Sequence, residues 1–264
     1  MVQAALYVAM VLILVLAWAF ALWRPRELSG LSRPRPLLIG HRGVRTEATE
    51  NTVEALRLAL ERGLDGVEFD VQRTRDGTLV LYHDFHLPDG RPLTALGSAE
   101  IAAANTGLAT LEEALKVCLN HPGTLINIEL KAEGLITGGL EREAARLAAE
   151  SGMADRVLIS SFNPLSLGKV RLAAPSLRTA LLYSPQLPWP LNSGALARWL
   201  HVDAIHPHFE LVTPELLRWA RSRGLMVNTW TVNDPAVVRA LVELTVDGIV
   251  ADDPQAVRSA AGRE

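Results

Sequence analysis

Two carboxylates on one face of a short strand pattern are the residues with the clearest chemical use in this sequence. Residues 65–72 alternate between apolar and polar side chains, so Glu68, Asp70 and Gln72 share one face of the predicted strand. If that face turns inward, burial of two carboxylates is unfavourable unless a cation or hydrogen bonds compensate their charge. The pattern therefore indicates a buried ionic site.

A second strand pattern, residues 124–130, repeats this arrangement. Asn127, Glu129 and the following Lys131 share one face, with apolar residues opposite. Three carboxylates that meet at the ends of neighbouring strands form the oxygen-rich type of site that Mg2+ or Ca2+ prefers. An inward salt-bridge network with Lys131 explains the same pattern equally well, so the strand patterns alone leave both interpretations open.

A further strand pattern brings a histidine to this cluster. Residues 79–83 follow residues 65–72 after a connection too short for a parallel crossover, so the two segments are predicted to form an antiparallel hairpin. A turn centred on Asp76-Gly77, a favoured hairpin dipeptide, places His83 opposite Asp70.

A second histidine, His41, ends the first strand pattern and is followed by Arg42. Two imidazoles around one carboxylate cluster can transfer protons near neutral pH, while a cation with Arg42 and Lys131 can hold a phosphate. Phosphoryl chemistry needs charge neutralisation, a base and an acid. The histidines therefore favour a catalytic metal site.

The elements that must position these residues alternate between strands and helices. Strand patterns lie at residues 36–41, 65–72, 124–130, 156–161, 178–183, 203–208, 225–231 and 247–251. Helical patterns lie between most of them, at residues 51–63, 110–120, 138–151, 163–173, 213–223 and 234–244. Such alternation is typical of a parallel barrel or a doubly wound sheet, and no glycine-rich nucleotide-binding loop follows any strand. We therefore predict a (β/α)8 TIM barrel with a short hairpin extension over residues 36–264.

Seven motifs occur in an order that points to one family. They are His41-Arg42-Gly43, Glu50-Asn51-Thr52, Val67-Glu68-Phe69-Asp70-Val71, Asp76-Gly77 with His83-Asp84, Asn127-Ile128-Glu129-Leu130-Lys131, Asn228-Thr229-Trp230-Thr231-Val232-Asn233 and Asp247-Gly248-Ile249. Together they resemble the glycerophosphodiester phosphodiesterase family over residues 37–258. His-Arg-Gly alone would be weak evidence for the family, but the combination of motifs is specific for it.

This resemblance implies a TIM barrel that hydrolyses glycerophosphodiesters to sn-glycerol 3-phosphate and an alcohol, with a divalent cation, Mg2+ or Ca2+. By matching position, it implies His41 and His83 as the acid/base pair. The other implied roles are metal ligands at Glu68, Asp70 and Glu129, phosphate contacts at Arg42 and Lys131, and substrate contacts at Glu50, Asn51 and Trp230. A helix cap explains Glu50 and Asn51 about as well, and barrel packing is the alternative for Trp230.

The substrate and the function class each have alternatives. Residues 85–109 are shorter than the insertion that the family usually carries there, so a more open site and a lipid-derived diester such as a lysophospholipid are alternatives to soluble glycerophosphodiesters. A catalytically silent barrel that binds phosphate esters is a second alternative. A phospholipase of the phosphoinositide or sphingomyelinase D type is a third. The complete motif set favours the diesterase.

The first residues of the chain resemble a membrane anchor. No charged side chain occurs from Val2 to Trp23, and such a segment spans roughly 30 Å as a helix, the thickness of a bilayer core. We therefore expect a transmembrane helix over residues 1–23, followed by a basic Pro/Gly linker over residues 24–35. Arginines follow the apolar segment and none precedes it, which places the catalytic domain in the cytoplasm. A cleaved signal peptide and an extracytoplasmic domain are the alternative.

Composition narrows the set of partners. A net charge of −3 and a pI near 6.2 give no reason to expect nucleic acid. The single cysteine, Cys118, excludes an intrachain disulfide and is expected to fill the core. The expected partners are a small-molecule or lipid-derived phosphodiester and, through the N-terminal helix, a membrane.

Overall fold

Nine β-strands form one continuous sheet in the computed structural model, which describes residues 2–17, 23–31, 33–104 and 107–263. They are β1 (Leu37–His41), β2 (Gly66–Arg73), β3 (Leu79–Leu81), β4 (Leu125–Leu130), β5 (Val157–Ser161), β6 (Arg178–Tyr183), β7 (Ala204–Pro207), β8 (Met226–Thr229) and β9 (Gly248–Ala251). Each strand pattern in the sequence corresponds to one of these strands, with small differences at the ends.

Strand pairing closes eight of these strands into a barrel. Their order is β1-β9-β8-β7-β6-β5-β4-β2, and all neighbours are parallel. Leu38 of β1 lies opposite Ile249 of β9, and Gly40 of β1 lies opposite Val67 of β2, so β1 closes the ring. The closed parallel sheet confirms the TIM barrel and excludes the doubly wound sheet. β3 extends it as the antiparallel partner of β2.

The β2–β3 hairpin has a different register from the predicted one. Val71 lies opposite Leu81, and the Tyr82 amide donates to the Asp70 carbonyl at 3.2 Å. Tyr82, rather than His83, is therefore the residue opposite Asp70. The predicted pairing was wrong by one residue.

The turn explains this shift. The Thr74 amide donates to the Thr78 carbonyl at 3.0 Å, which leaves a three-residue loop between them instead of the predicted two-residue turn. Gly77 adopts a left-handed φ of 93°, which a glycine reaches without steric strain and which such a loop requires at its last position. The loop type, which the dipeptide Asp76-Gly77 does not determine, sets the register.

Helices follow most of the strands along the chain, and most of the helices were predicted. The described helices are α1 (Val2–Ala17), α2 (Val53–Glu61), α3 (Ser98–Ala104), α4 (Leu111–Leu119), α5 (Leu140–Glu150), α6 (Pro164–Ala173), α7 (Ala197–Leu200), α8 (Pro214–Arg221), α9 (Pro235–Glu243) and α10 (Pro254–Ala260). Short 3-10 helices occupy Leu93–Ala95, Gly194–Leu196 and Phe209–Leu211. Sequence reasoning missed α3, α7 and α10. Cys118 of α4 is buried in the core, as expected.

The short segment at residues 85–109 folds onto the hairpin. It contains α3 and one of the 3-10 helices, while residues 105–106 lie outside the described residues. Its buried side chains form a small apolar cluster with β3: Val80, Leu87, Leu93, Leu96 and Ile101. This packing fixes the connection that follows His83.

Leu28, which precedes β1, packs into the N-terminal end of the barrel. The inward side chains there form an apolar cluster that consists of Leu28, Leu37, Ile39, Leu125, Leu158, Ala180, Ala204 and Val250. Leu28 is only 9% exposed. This apolar cluster lies at the N-terminal end of the barrel, and the carboxylates of β2 and β4 lie further along their strands.

Arg26 holds the same N-terminal segment against the barrel. Its backbone amide donates to the buried Asp203 carboxylate at 2.8 Å, and its guanidinium adds contacts at 3.0 and 3.1 Å. Arg26→Ala should lower the free energy of unfolding by about 2 kcal/mol, because the buried carboxylate loses its charged partner.

Urea denaturation of the two proteins measures this effect. Arg239→Ala, at an exposed position of α9, is the matched control and should change the free energy of unfolding by less than about 0.5 kcal/mol. Equal stability losses in both variants would contradict an anchoring role for Arg26.

The predicted transmembrane helix over residues 1–23 is wrong. The described part of α1, Val2–Ala17, has 16 residues, which at about 1.5 Å per residue span less than a bilayer core of about 30 Å. No helix within the described part of the chain combines the length and apolarity needed to cross a membrane. The prediction of a single-pass membrane protein is therefore wrong too, and the predicted cytoplasmic position of the barrel loses its basis. Residues 18–22 of the predicted anchor lie outside the described residues.

Candidate active site

Three carboxylates meet at the C-terminal end of the barrel. The parallel register places Asp70 of β2 opposite Glu129 of β4, and Glu68 opposite Asn127. One oxygen from each of Glu68, Asp70 and Glu129 lies within 4.8 Å of the other two, and all three residues are buried. The structure thus brings together the three residues that were predicted as metal ligands.

The chemistry of this cluster fits a hard divalent cation. Within the described residues, Glu68 Oε1 and Asn127 Oδ1 are buried and have no hydrogen-bond partner. Burial, followed by the negative charges of Asp70 and Glu129, holds the pKa of Glu68 well above its ordinary value. Burial also raises the pKa of Glu129 to about 7. A cation bound at these oxygens would satisfy unpartnered atoms and offset the repulsion, which is what Mg2+ and Ca2+ do in oxygen-only sites.

Two cationic side chains border the carboxylates. The Arg42 amide donates to Glu68 Oε2 at 3.0 Å, and Arg42 Nε lies 3.1 Å from an Asp70 oxygen. Lys131 Nζ donates to Glu129 Oε1 at 3.0 Å. The inward salt-bridge network that the sequence also allowed is therefore present, but it leaves one Glu68 oxygen without a partner.

Glu50 and Asn51, predicted as substrate contacts or as a helix cap, hold other site residues. Glu50 accepts a hydrogen bond from Arg42 at 2.7 Å. The Asn51 amide nitrogen donates to the Asp70 carboxylate at 2.9 Å, and its oxygen accepts from the Asp70 backbone amide at 3.1 Å. The cap of α2 is Thr52. Asn51 thus fixes the orientation of the Asp70 carboxylate.

His41 is oriented by a carboxylate that sequence reasoning missed. Its Nδ1 lies 2.7 Å from Asp252, which also accepts hydrogen bonds from Asn233 at 2.7 Å and Arg45 at 3.2 Å. Burial acts to raise the pKa of Asp252, but the hydrogen bonds from His41 and Asn233 and the nearby positive charges outweigh it and hold the pKa well below its ordinary value. The ionised carboxylate leaves the His41 Nε2 available for chemistry.

His83 has a similar arrangement in a more open position. Its Nδ1 lies 2.7 Å from the Asp84 carboxylate, and its side chain is 34% exposed. The Gln72 amide donates to the carbonyls of Tyr82, His83 and Asp84, which fixes this part of the backbone. Burial lowers the pKa of His83, so the ring is neutral near pH 7. A neutral imidazole can accept a proton.

Trp230 is held beside the carboxylates by packing and one hydrogen bond. Its indole Nε1 donates to the His206 carbonyl at 2.8 Å, and its ring packs edge-on against Phe162 and His208. Burial lowers the pKa of His206 to about 3, so this ring is neutral and pairs with the Asn228 amide at 3.1 Å. Trp230 and His206 both line the small cavity beside the carboxylates, so the packing interpretation of Trp230 and its predicted place at the site are compatible.

Comparison with known sequences decides the family. The sequence profile described as the glycerophosphoryl diester phosphodiesterase family matches residues 41–256. This chain belongs to that family. The matched range contains every candidate site residue described above. The chain is therefore an enzyme of the phosphodiesterase class.

Similar proteins support the assignment of this phosphodiesterase. A glycerophosphodiester phosphodiesterase from Caldanaerobacter subterraneus is 32% identical over 84% of this chain and 96% of its own length. The crystal structure of a glycerophosphodiester phosphodiesterase from Parabacteroides distasonis matches with a TM-score of 0.73 and 26% identity, covering 88% of this chain and 98% of that one. An Oleispira antarctica phosphodiesterase in complex with the product sn-glycerol-3-phosphate matches with a TM-score of 0.72 and 27% identity, covering 86% and 97%.

Sequence reasoning assigned no role to two site residues of this phosphodiesterase, Asp252 and Asn233. Asp252 directly follows β9, and the residues at the C-terminal ends of barrel strands are those that enzymes of this fold use for catalysis. Asn233 lies in a motif that was noted, but nothing in the sequence linked it to Asp252. Their amide and carboxylate groups pair at 2.7 Å in the structure.

The raised pKa of Glu129 predicts how the stability of the metal-free phosphodiesterase depends on pH. An acid whose pKa rises from an ordinary 4.5 to about 7 on folding binds more protons in the folded state between these values. The contribution of Glu129 to the stability of the metal-free protein should therefore decline as pH rises from about 5 to 8. The lowered pKa of the buried His206 acts in the opposite direction below about 6.5, so the effect is measured as the stability of the wild type relative to Glu129→Gln in thermal unfolding with EDTA. Mg2+ or Ca2+ should remove most of this decline, and a relative stability that rises with pH would contradict the burial argument.

Proposed function

We propose that this enzyme hydrolyses glycerophosphodiesters to sn-glycerol 3-phosphate and an alcohol, with a divalent cation and with His41 and His83 as the acid/base pair. One observation carries the proposal. Two imidazoles, each tied through Nδ1 to a carboxylate at 2.7 Å, lie at the mouth that contains the buried three-carboxylate cluster and its unpartnered oxygens. The product bound to the Oleispira antarctica relative supports the substrate class.

The protein side chains bind and orient the phosphodiester. A cation held by Glu68, Asp70 and Glu129 would supply positive charge to the phosphoryl oxygens. Arg42 and Lys131 add fixed charges that are each 11% exposed, so water screens them weakly. Arg42 is in turn oriented by Glu50. This arrangement favours the extra negative charge that develops as the phosphoryl group is transferred.

The two histidines move the protons. One imidazole takes a proton from the attacking oxygen as its bond to phosphorus forms, and the other donates a proton to the alcohol oxygen as its bond to phosphorus breaks. Asp252 compensates the positive charge that the His41 ring gains when it holds a proton. Asp84 has the same relation to His83. All catalytic positions therefore hold competent residues, which argues against a silent phosphate-binding barrel.

A lysophospholipase D activity is the second candidate, because apolar side chains are exposed around the same mouth. They lie on the loops that follow β4 and β6 and on the first turn of α6, and their exposed fractions are large: Leu135 71%, Ile136 93%, Leu165 50% and Trp189 82%. Because the loops after barrel strands surround the active site, these side chains can contact the acyl chain of a lysolipid.

Hydrolysis of a substrate panel by the full-length protein tests both candidates. The panel comprises glycerophosphocholine, glycerophosphoethanolamine, glycerophosphoglycerol and lysophosphatidylcholine, with Mg2+ or Ca2+ present. Phosphorus NMR should show sn-glycerol 3-phosphate from the first three. Lysophosphatidic acid from the fourth would favour the second candidate. Absence of hydrolysis across the panel would overturn both.

A further inference from the structure

A cavity of about 420 Å3 opens beside the catalytic cluster, between the β2–β3 hairpin and the loop before α5. Its inner end is lined by Lys131 and Phe85, and Lys131 Nζ lies 5.9 Å from the Phe85 ring centroid. Because Lys131 is also a phosphate contact in the proposed mechanism, this cavity adjoins the place proposed for the phosphoryl group. Its volume lies in the range of small-molecule pockets.

Arg73, the last residue of β2, projects into the wall of this cavity. Its side chain is partly buried, and within the described residues it has no hydrogen-bond or ion-pair partner. Two glycines with left-handed φ values leave space for its guanidinium. A Cβ atom at Gly77 would lie 2.9 Å from one of its nitrogens, and a Cβ at Gly138 would lie 3.3 Å from the other. The position of the guanidinium is therefore set by its surroundings.

The other charged side chains that line the cavity either have an ion-pair partner or are exposed. Arg75 pairs with Glu100 at 2.8 Å, and Lys131 is bonded to Glu129. Glu133 also lines the cavity, but it is exposed and lies beyond ion-pair distance of Arg73. The Glu143 carboxylate, whose pKa is lowered first by its hydrogen bond to Arg146 and also by the charge of Arg73, pairs with Arg146 at 2.6 Å and forms no ion pair with Arg73. The Arg73 guanidinium therefore keeps its donors available for an anionic group of a ligand.

We infer that this cavity receives the leaving alcohol of the substrate, and that Arg73 recognises a carboxylate or phosphate group on that alcohol. The inference rests on the proposed function and names the substrate class. A guanidinium presents a planar fork of donors that matches carboxylate and phosphate oxygens in pairs. Arg73 is thus a specificity residue for diesters whose alcohol is anionic.

Two matched pairs of substrates isolate the anionic group. Glycerophosphoserine differs from glycerophosphoethanolamine by one carboxylate, and glycerophosphoinositol 4-phosphate differs from glycerophosphoinositol by one phosphate. In the wild-type enzyme, kcat/KM should be higher for the anionic member of at least one pair, and the pair that responds identifies the group. Arg73→Gln should lower this ratio about tenfold, the effect of one charge-assisted hydrogen bond.

Variants and salt provide the controls. Arg73→Lys keeps the charge and should retain part of the preference, whereas Arg75→Gln removes an already paired arginine of the same cavity and should change the ratio less than about twofold. Added salt should reduce the wild-type preference, because Arg73 is only partly buried. This wild-type measurement keeps the inference testable if Arg73→Gln does not fold.

The outcomes separate this inference from the proposed function. If the wild-type enzyme hydrolyses the diesters but shows no preference in either pair, or if Arg73→Gln leaves the ratios unchanged, the inference is overturned and the proposed function stands. An equal loss in Arg75→Gln overturns the assignment to Arg73. If no glycerophosphodiester is hydrolysed, both are overturned.

Discussion

His41→Ala and His83→Ala should each lower kcat by about 10²–10⁴-fold, the usual contribution of one general acid or base. The proposed mechanism needs both rings. A carboxylate lies 2.7 Å from each Nδ1, which leaves each Nε2 for the substrate, and the proposal assigns the two rings to the bond that forms and the bond that breaks. Steady-state hydrolysis of glycerophosphoethanolamine at saturating Mg2+ measures the loss. KM should change much less than kcat, because neither ring is a main phosphate contact.

His86→Ala is the matched control for these variants. His86 is exposed and lies three residues after His83, so its removal should change kcat less than about twofold. A histidine variant that kept more than half of the wild-type kcat would lose its assigned role. The wild-type rate should also show a bell-shaped pH profile that belongs to the coupled pair.

Asp252→Asn extends the same prediction to a positioning residue. The amide keeps the size of the carboxylate but removes the charge that compensates a protonated His41 ring, so kcat should fall roughly tenfold to 100-fold. KM should change much less than kcat, because Asp252 contacts His41. A loss that appeared mainly in KM, or equally in thermal stability, would indicate a structural role only.

Removal of the cation should abolish turnover, and Mg2+ or Ca2+ should restore it. The oxygen-only ligand set of Glu68, Asp70 and Glu129 is suited to hard cations, and without a cation two of these carboxyl groups have raised pKa values. Glu68→Gln, Asp70→Asn and Glu129→Gln should each raise the cation concentration needed for half-maximal activity at least tenfold, roughly the effect of a lost ligand charge.

The same carboxylate variants carry a second readout that does not depend on activity. Glu68→Gln relieves repulsion in the metal-free state, so its thermal midpoint in EDTA should stay the same or rise, and in all three variants the stabilisation by added Mg2+ should decrease. Glu133→Gln, on the exposed loop after β4, is the control and should behave as wild type. Full activity after rigorous chelation would contradict the metal assignment.

The sequence was sufficient for the barrel and the carboxylate cluster because both depend on local periodicity. A period of two places Glu68 and Asp70 on one face, and parallel neighbours share one end of the sheet, so Glu129 of the adjacent strand meets them. Strand–helix alternation likewise follows from short-range patterns. These features need no knowledge of which distant segments touch.

Three other features depended on contacts that periodicity does not encode. The hairpin register was set by a three-residue loop with Gly77 in a left-handed conformation, so His83 shifted by one position. Asp252 follows the last strand and reaches His41 only because the barrel closes between β9 and β1. Barrel closure brings together residues separated by most of the chain.

The N-terminal region shows most clearly the difference between what local sequence predicts and what long-range contacts decide. Its composition was correctly seen as apolar, but composition does not determine how far a helix extends, and no helix of the described residues is long and apolar enough to cross a membrane. Beyond it, Leu28 enters the barrel core and Arg26 pairs with Asp203, contacts that a pattern of arginines and prolines does not reveal. Side-chain periodicity reports which face of an element is buried. Which element covers that face is decided by the long-range packing of the whole chain.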